Sequence, residues 1–290
     1  MRITLIINPS AGGGRAGRAL AGVEAMLVSE GLAHRTEPTR SLDHARELAR
    51  AAVAAGETAV AFGGDGLIGA VAGALAGTDG VLGVIPGGRG NDLARVLGIP
   101  LEPRAACRVL VTGRARPLDI GEADGRTFIG IASCGFDSEA NRIANETRLV
   151  RGNLVYLYGA LRALLAWRPA TFTLQLDDAE PEMVIGYTVA VANSKAYGGG
   201  MLMAPDASLE DGLLDVVTIG NISKTRFVRG LPSVFKGEHV GRPSVVVRRA
   251  ARVRVSADRP FVMYADGDPL AGLPATIRAR PAAVRVIVPE

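Results

Sequence analysis

Three glycine-rich turns, each placed behind a short apolar run, constrain this chain more than any other feature. They are Asn8-Pro9-Ser10-Ala11-Gly12-Gly13-Gly14, Gly63-Gly64-Asp65-Gly66 and Pro86-Gly87-Gly88-Arg89-Gly90-Asn91-Asp92. The runs Arg2 to Ile7, Thr58 to Phe62 and Val81 to Ile85 precede them, and helix-forming sequence follows. Such alternation predicts an open, mostly parallel sheet with helices on both faces. All three turns then lie at the carboxyl edge of the sheet, where ligands bind. Glycine lets main-chain N–H groups approach phosphate oxygens with no Cβ in the way, and the helix N-termini behind add favourable partial charge. One such turn is often only packing. Three on one edge, two carrying an Asp, point to a polyphosphate. Asp65 and Asp92 would repel phosphate without a cation between them, so a bridging Mg²⁺ is implied.

A dinucleotide reading competes, because Gly12, Gly14 and Gly17 satisfy G-x-G-x-x-G and Glu37 lies about twenty residues on. Against it, Asn8 to Ala11 lengthen the turn before the first glycine, and Asp65 and Asp92 would have no task. No Gly-Lys-Ser/Thr occurs, so a Walker A loop is absent.

Between these turns, a helix is predicted from about Arg15 to Ser29, a strand over Ala33 to Thr36, and a helix from Leu42 to Ala55. In the last, Leu42, Ala45, Leu48, Ala49, Ala52 and Val53 share a face and Gly56 ends it. After Leu118 the pattern changes. Asp124-Gly125 predicts a hairpin, and further strands are expected over Thr171–Leu176, Met183–Ala192, Leu213–Ile219, Ser244–Val247, Arg252–Ser256, Ala275–Arg280 and Val284–Val288. We therefore expect an α/β domain over 1–120 and a mainly antiparallel β domain over 121–290, with a cleft between. Leu154 to Trp167, interrupted only by Arg162, reads as a buried helix or as a lipid-facing element near a substrate entrance.

With 290 residues, 48% of them hydrophobic, a sizeable core is affordable. The first apolar run is short, is cut by Asn8-Pro9 and has no small-residue cleavage site behind it, so no signal peptide is expected. Nor does any stretch approach the roughly eighteen apolar residues of a membrane span. The expectation is a soluble, cytoplasmic protein. Cys107 and Cys134, like His34, His44 and His239, are scattered without metal-ligand spacing. Arginine supplies 30 of the 33 basic residues and the net charge is only +4, while aromatics at 4% are too sparse to stack single strands. Nucleic acid is not an expected partner.

The loops resemble those of bacterial diacylglycerol kinases and related lipid and sphingosine kinases, which share a nucleotide fold with NAD kinases and phosphofructokinases. Asn8-Pro9-Ser10-Ala11-Gly12 is similar to the family's opening loop, and Gly90-Asn91-Asp92-Leu93-Ala94-Arg95 to its lipid-kinase branch. Gly135-Phe136-Asp137, the run from Asn193 through Gly198-Gly199-Gly200 to Ala204-Pro205-Asp206, and Asp211-Gly212-Leu213-Leu214-Asp215 are typical of that branch. The resemblance implies a C-terminal antiparallel β-sandwich facing a nucleotide cleft. It puts ATP contacts on Asn8, Pro9, Ser10, Ala11, Gly12, Thr39, Gly64, Asp65, Gly66, Leu67 and Arg89, beside Asn91 and Asp92. A structural magnesium would use Asp211 with backbone oxygens of Ser208 and Leu213. The general base falls on Asp268 of Asp266-Gly267-Asp268, where the family has Glu, and Asp119 matches a supporting carboxylate. Leu67, Gly69, Ala70 and Arg89 also depart from the family pattern.

The implied activity is Mg²⁺-dependent transfer of the terminal phosphoryl of ATP to diacylglycerol or a similar lipid, at the inner membrane surface, by a monomer or a homodimer. A kinase for a sphingoid or other long-chain alcohol and a catalytically impaired lipid- or nucleotide-binding protein are the alternatives, with NAD kinase last.

Overall fold

The computed structural model describes residues 1–147 and 154–290. Its first half runs β1 (Arg2–Ile7), α1 (Ala11–Ser29), β2 (Ala33–Pro38), α2 (Leu42–Ala54), β3 (Thr58–Gly63), α3 (Asp65–Leu75), β4 (Val81–Pro86), α4 (Asp92–Val96) and α5 (Pro103–Thr112). Strands β4, β3, β1 and β2 pair in that order and all in parallel. The inner three are almost wholly buried, as strands covered on both faces must be. Helices α1 and α5 pack together, as do α2 and α3. Helix α2 begins where the Ser41 side chain accepts the His44 N–H and turns Ala45, Ala49 and Ala52 inward.

The second half continues with β5 (Arg114–Ala123), β6 (Arg126–Phe128), β7 (Ile131–Gly135), α6 (Phe136–Glu146), α7 (Leu154–Ala166), β8 (Ala170–Leu176), β9 (Glu182–Ala192) and β10 (Leu214–Gly220). Then come α8 (Lys224–Val234), β11 (Val245–Ala250), β12 (Arg252–Ala257), β13 (Val262–Ala265), β14 (Asp268–Gly272) and β15 (Ala275–Val288). All pairings wholly within this half are antiparallel. The expected hairpin at Asp124-Gly125 forms with both residues at positive φ, 50° and 75°, the pair of left-handed conformations that matches strand twist.

Two features differ from the sequence reading. The last two expected strands are one, β15, with its register shifted between Arg280 and Val284. Its end pairs in parallel with β4, at Arg285–Val81 and Val286–Leu82, and so extends the first sheet. A tail of only 22 residues after Asp268 therefore suffices to return to the first half. The hairpin β13–β14 was also not expected from the sequence, because its strands have only four and five residues and Pro269 interrupts the second.

One core fills the first half and takes Val284, Val286 and Ile287 from β15. A second lies inside the β-rich half. A third, built on Phe136, Trp167, Tyr187 and Phe227, packs α6, α7 and α8 on the outside of that half. Helix α7 divides its residues: Ala163 is buried with the following Trp167, while Leu161 and Leu165 face outward. Among the described residues no helix is long and apolar enough to cross a membrane.

Candidate active site

The three glycine turns touch one another. A Cβ on Gly12 would stand 2.5 Å from the Gly87 carbonyl oxygen, and one on Gly88 would stand 2.4 Å from Gly64 Cα. The first turn is held open by its own side chains. Asn8 Oδ1 accepts the Ser10 N–H at 3.1 Å and the Ser10 hydroxyl at 2.7 Å. Gly12, Gly13 and Gly14 then follow at φ 62°, 70° and 83°, a left-handed run that residues with a Cβ resist. Consecutive N–H groups in such a run form a concave anion seat. Arg15 ties this turn to the third by donating to the Gly88 carbonyl at 2.8 Å. Pro9 and Ser10 are exposed beside it, and Ala11 is partly so. Thr39, one residue beyond β2, joins the same edge through its N–H to Ile7 O at 2.8 Å, and its hydroxyl donates to Ser41 O.

The two loop carboxylates converge. A Cβ on Gly90 would lie 3.0 Å from both Asp65 Oδ2 and Asp92 Oδ2. Asp65 Oδ1 accepts the Leu93 N–H at 3.2 Å. Burial and, next, the charge of Asp92 push the Asp65 carboxyl up. Asp92 Oδ2 accepts the Gly199 N–H at 2.9 Å, a bond that reaches across from the second half. Its Oδ1 is buried with no partner among the described residues. Asn91 is buried at φ 53°, and its amide makes two bonds to the Gly88 backbone, at 2.8 and 3.2 Å. Its side chain shapes the third turn and is consumed in doing so. Arg89 is exposed at the tip. Leu67 lies in the first core, with its Cδ2 2.7 Å from where a Cβ on Gly63 would stand.

Opposite them stands the β13–β14 hairpin. Asp268 Oδ2 lies 3.3 Å from where a Cβ on Gly66 would be. Desolvation in the cleft raises the Asp268 carboxyl, and the positive charge of Arg46 on α2 opposes that rise. Asp266, named from the sequence only as the first member of the Asp268 triplet, is the anchor. Its two oxygens accept the Ile129 and Gly130 N–H groups, each at 3.0 Å. Burial pushes it up to about 7, against those two bonds and with help from the charge of Asp65. Its Oδ2 also occupies the space beside Gly69, 2.8 Å from where a Cβ would stand. The departure at Gly69 thus has a physical partner that no local pattern announces.

The remaining predicted residues gather elsewhere in the second half. Asp211 Oδ1 accepts the Leu213 N–H at 3.1 Å, its Oδ2 lies 4.0 Å from Arg249, and Ser208 Oγ accepts the Glu210 N–H. Asp119 is buried with its oxygens committed to the N–H groups of Gly212 at 2.6 Å and Ala282 at 2.7 Å. It clamps the Asp211-Gly212 turn, which carries the residue expected to hold a structural metal, against β15. Asp137 takes bonds from Thr188 at 3.3 Å and Tyr197 at 3.4 Å, and burial pushes it up to about 6. Tyr197 opens the turn that carries Gly199 to Asp92. Sequence reasoning also missed Arg15 and Arg46, since a lone arginine on a helix carries no distinguishing signal.

Residues 2–123 match the family model described as the diacylglycerol kinase catalytic domain, and residues 130–288 that of the YegS C-terminal NAD kinase beta sandwich-like domain. A diacylglycerol kinase of Mycobacterium tuberculosis (strain CDC 1551 / Oshkosh) is 40% identical over 100% of this chain and 96% of its own. A solved diacylglycerol kinase from Bacillus anthracis str. Sterne superposes with a TM-score of 0.75 at 19% identity, covering 99% of this chain and 96% of its own. An NAD kinase from Archaeoglobus fulgidus, solved with ATP, shares the fold at a TM-score of 0.55 and 13% identity, over 100% and 94% of the two chains. Two family models that between them span nearly the whole chain, together with a full-length relative, establish that the chain belongs to the diacylglycerol kinase and YegS-like family of lipid kinases.

Proposed function

We propose that this lipid kinase transfers the terminal phosphoryl group of ATP to the free hydroxyl of diacylglycerol, at the cytoplasmic membrane surface. The observation that carries the reading is the position of Asp268, a carboxylate from the second half set against the Gly66 turn of the first. The Gly12 to Gly14 run and the first turn of α3 would hold phosphate oxygens by main-chain N–H groups. Asp268 would accept the proton of the attacking hydroxyl as the phosphoryl group leaves ATP, and desolvation in the cleft raises its affinity for that proton. Asp266 holds the hairpin so that Asp268 keeps this aim.

Mg²⁺ fits the residues present. Asp65 and Asp92 close on one point beside Gly90, and Asp92 Oδ1 is left without a protein partner among the described residues. These two carboxylates would hold the ion, directly or through water, and bound there it supplies charge neutralisation to the phosphate oxygens. A second, structural magnesium is proposed at Asp211 with the backbone oxygens of Ser208 and Leu213.

The departure at Gly69 does not argue for lost activity, since Asp266 takes up the vacated space. Purified protein with labelled ATP, Mg²⁺ and mixed micelles of diacylglycerol, sphingoid bases and other long-chain alcohols tests the proposal. Label in phosphatidic acid is the expected result. Label only in another lipid, or in none, overturns the diacylglycerol assignment.

A further inference from the structure

We propose that Asn193 is a positioning residue for phosphoryl transfer, holding the Asp268 hairpin in register with the glycine turns. The proposal deepens the lipid-kinase reading and rests on it. Asn193 directly follows β9 and is wholly buried. Its side-chain nitrogen donates to two main-chain carbonyls, Ile129 O at 2.9 Å and Asp119 O at 3.0 Å. Its own N–H and that of Ser194 both donate to Gly130 O, at 3.0 and 3.1 Å. Asp266 accepts the N–H groups of the same two residues, Ile129 and Gly130. The Ile129–Gly130 segment, which lies between β6 and β7, is therefore gripped from its carbonyl side by Asn193 and from its N–H side by Asp266. With those bonds every main-chain polar group of the segment is occupied. The fit is close, since a Cβ on Gly130 would stand 2.3 Å from Asp266 Oδ1.

Each arm of this clamp leads to reacting groups. The Asp266 arm reaches Asp268 across Gly267, whose φ of 94° belongs to a residue with little conformational restraint of its own. The aim of Asp268 therefore depends on the anchor behind it. The Asn193 arm branches. Asp119 lies on β5, whose partner β15 goes on to pair with β4, the strand that leads into the Pro86 to Asp92 turn. Further along the chain, Gly199 donates to Asp92 Oδ2, and Tyr197 and Met201 exchange two main-chain bonds of 3.0 Å that brace the turn. One side chain thus refers the proton acceptor both to the frame of the first sheet and to the proposed ion seat. Phosphoryl transfer is mostly positioning, and a displacement of about 1 Å lowers the rate by roughly 10². Packing alone does not call for an amide at this position. Asn193 Oδ1 is buried with no partner among the described residues, a penalty that an apolar side chain of similar size would avoid. What the amide supplies is the pair of donors.

Asn193→Ala removes both donors and tests the assignment. With whichever lipid the wild-type chain phosphorylates, kcat should fall roughly 10–10²-fold while KM for ATP stays within about two-fold, because the glycine turns are untouched. Leu27→Ala, in the first core and near the end of α1 remote from the glycine turn, is the control for lost stability alone. It should melt lower and keep the kcat of the wild-type chain. Asn193→Ser keeps one donor and should lose less turnover than Asn193→Ala, and it carries the test should Asn193→Ala not fold. A double-mutant cycle of Asn193→Ala with Asp266→Asn, read by urea unfolding, follows the clamp without any substrate. The folding equilibrium of the double variant should differ from the product of the two single effects by about three-fold or more. Unchanged kcat in the Asn193 variants, a rise in KM for ATP that accounts for the whole loss, or an equal fall in Leu27→Ala overturns the positioning role. Independent effects in the urea cycle overturn the clamp. A wild-type chain that labels no lipid counts instead against the kinase reading, and the urea cycle still decides whether Asn193 and Asp266 hold one segment between them.

Discussion

Replacing Asp266 with Asn tests how the β13–β14 hairpin is held. The carboxyl sits at about 7 in the folded chain, against an ordinary value of about 3.9 in an unfolded one. A difference of about three units at about 1.36 kcal/mol each gives at most about 4 kcal/mol. The folded chain holds this proton more tightly than the unfolded chain does. The contribution is therefore full below the ordinary carboxylate range and is lost as pH rises to about 7, at up to about 1.4 kcal/mol per pH unit. Asp266→Asn removes that titration. It also costs one of the two main-chain bonds, since an amide nitrogen cannot accept from Ile129 or Gly130, a penalty of about 1–3 kcal/mol at every pH. Urea unfolding of both proteins in steps from about pH 4.5 to 8 should show the variant's deficit shrinking as pH rises. Asp65 and Asp268 titrate in both chains, so to first order they cancel in the difference. A deficit that stays constant across that range would refute the claim that Asp266 is an inward-facing carboxyl with a raised affinity for its proton.

Three further outcomes follow from the same geometry. Asp65→Ala should weaken nucleotide binding by roughly ten-fold or more in Mg²⁺ and far less in EDTA, measured by calorimetry, because the substitution removes one side of the proposed ion seat. Gly69→Ala should lower stability by about 1–3 kcal/mol, read by urea unfolding, because its methyl meets Asp266 Oδ2 at 2.8 Å. Arg46→Gln removes the positive charge that opposes the rise of Asp268, so the base holds its proton to higher pH and the acid limb of kcat/KM should move upward.

Much of the first half was legible because its signals are local. Buried strands, glycine turns and the Leu42 to Ala54 helix each carry their pattern within a few residues, and the parallel order places the turns on one edge. Asp124-Gly125 was equally readable, as its turn chemistry is complete in two residues. What escaped depends on distant partners. Asp266 looks like any turn aspartate until Ile129, Gly130 and Gly69 surround it. Arg15 and Arg46 gain meaning only from Gly88 and Asp268. Asn91 and Leu67 are both expected as nucleotide contacts, but the sequence could not say that one side chain is spent on Gly88 and the other packs into the core. The union of two expected strands into β15 likewise reflects pairing with β5 and β4, which lie far back in the chain.

In the proposed reaction a proton passes from a lipid hydroxyl to Asp268 across the cleft from the glycine turns. Turnover of diacylglycerol by Asp268→Asn at saturating ATP and Mg²⁺ measures it most directly, with nucleotide affinity and thermal stability followed alongside. A fall of roughly 10²–10⁴ with folding and nucleotide binding intact is predicted. Wild-type turnover in that variant would exclude Asp268 as the proton acceptor.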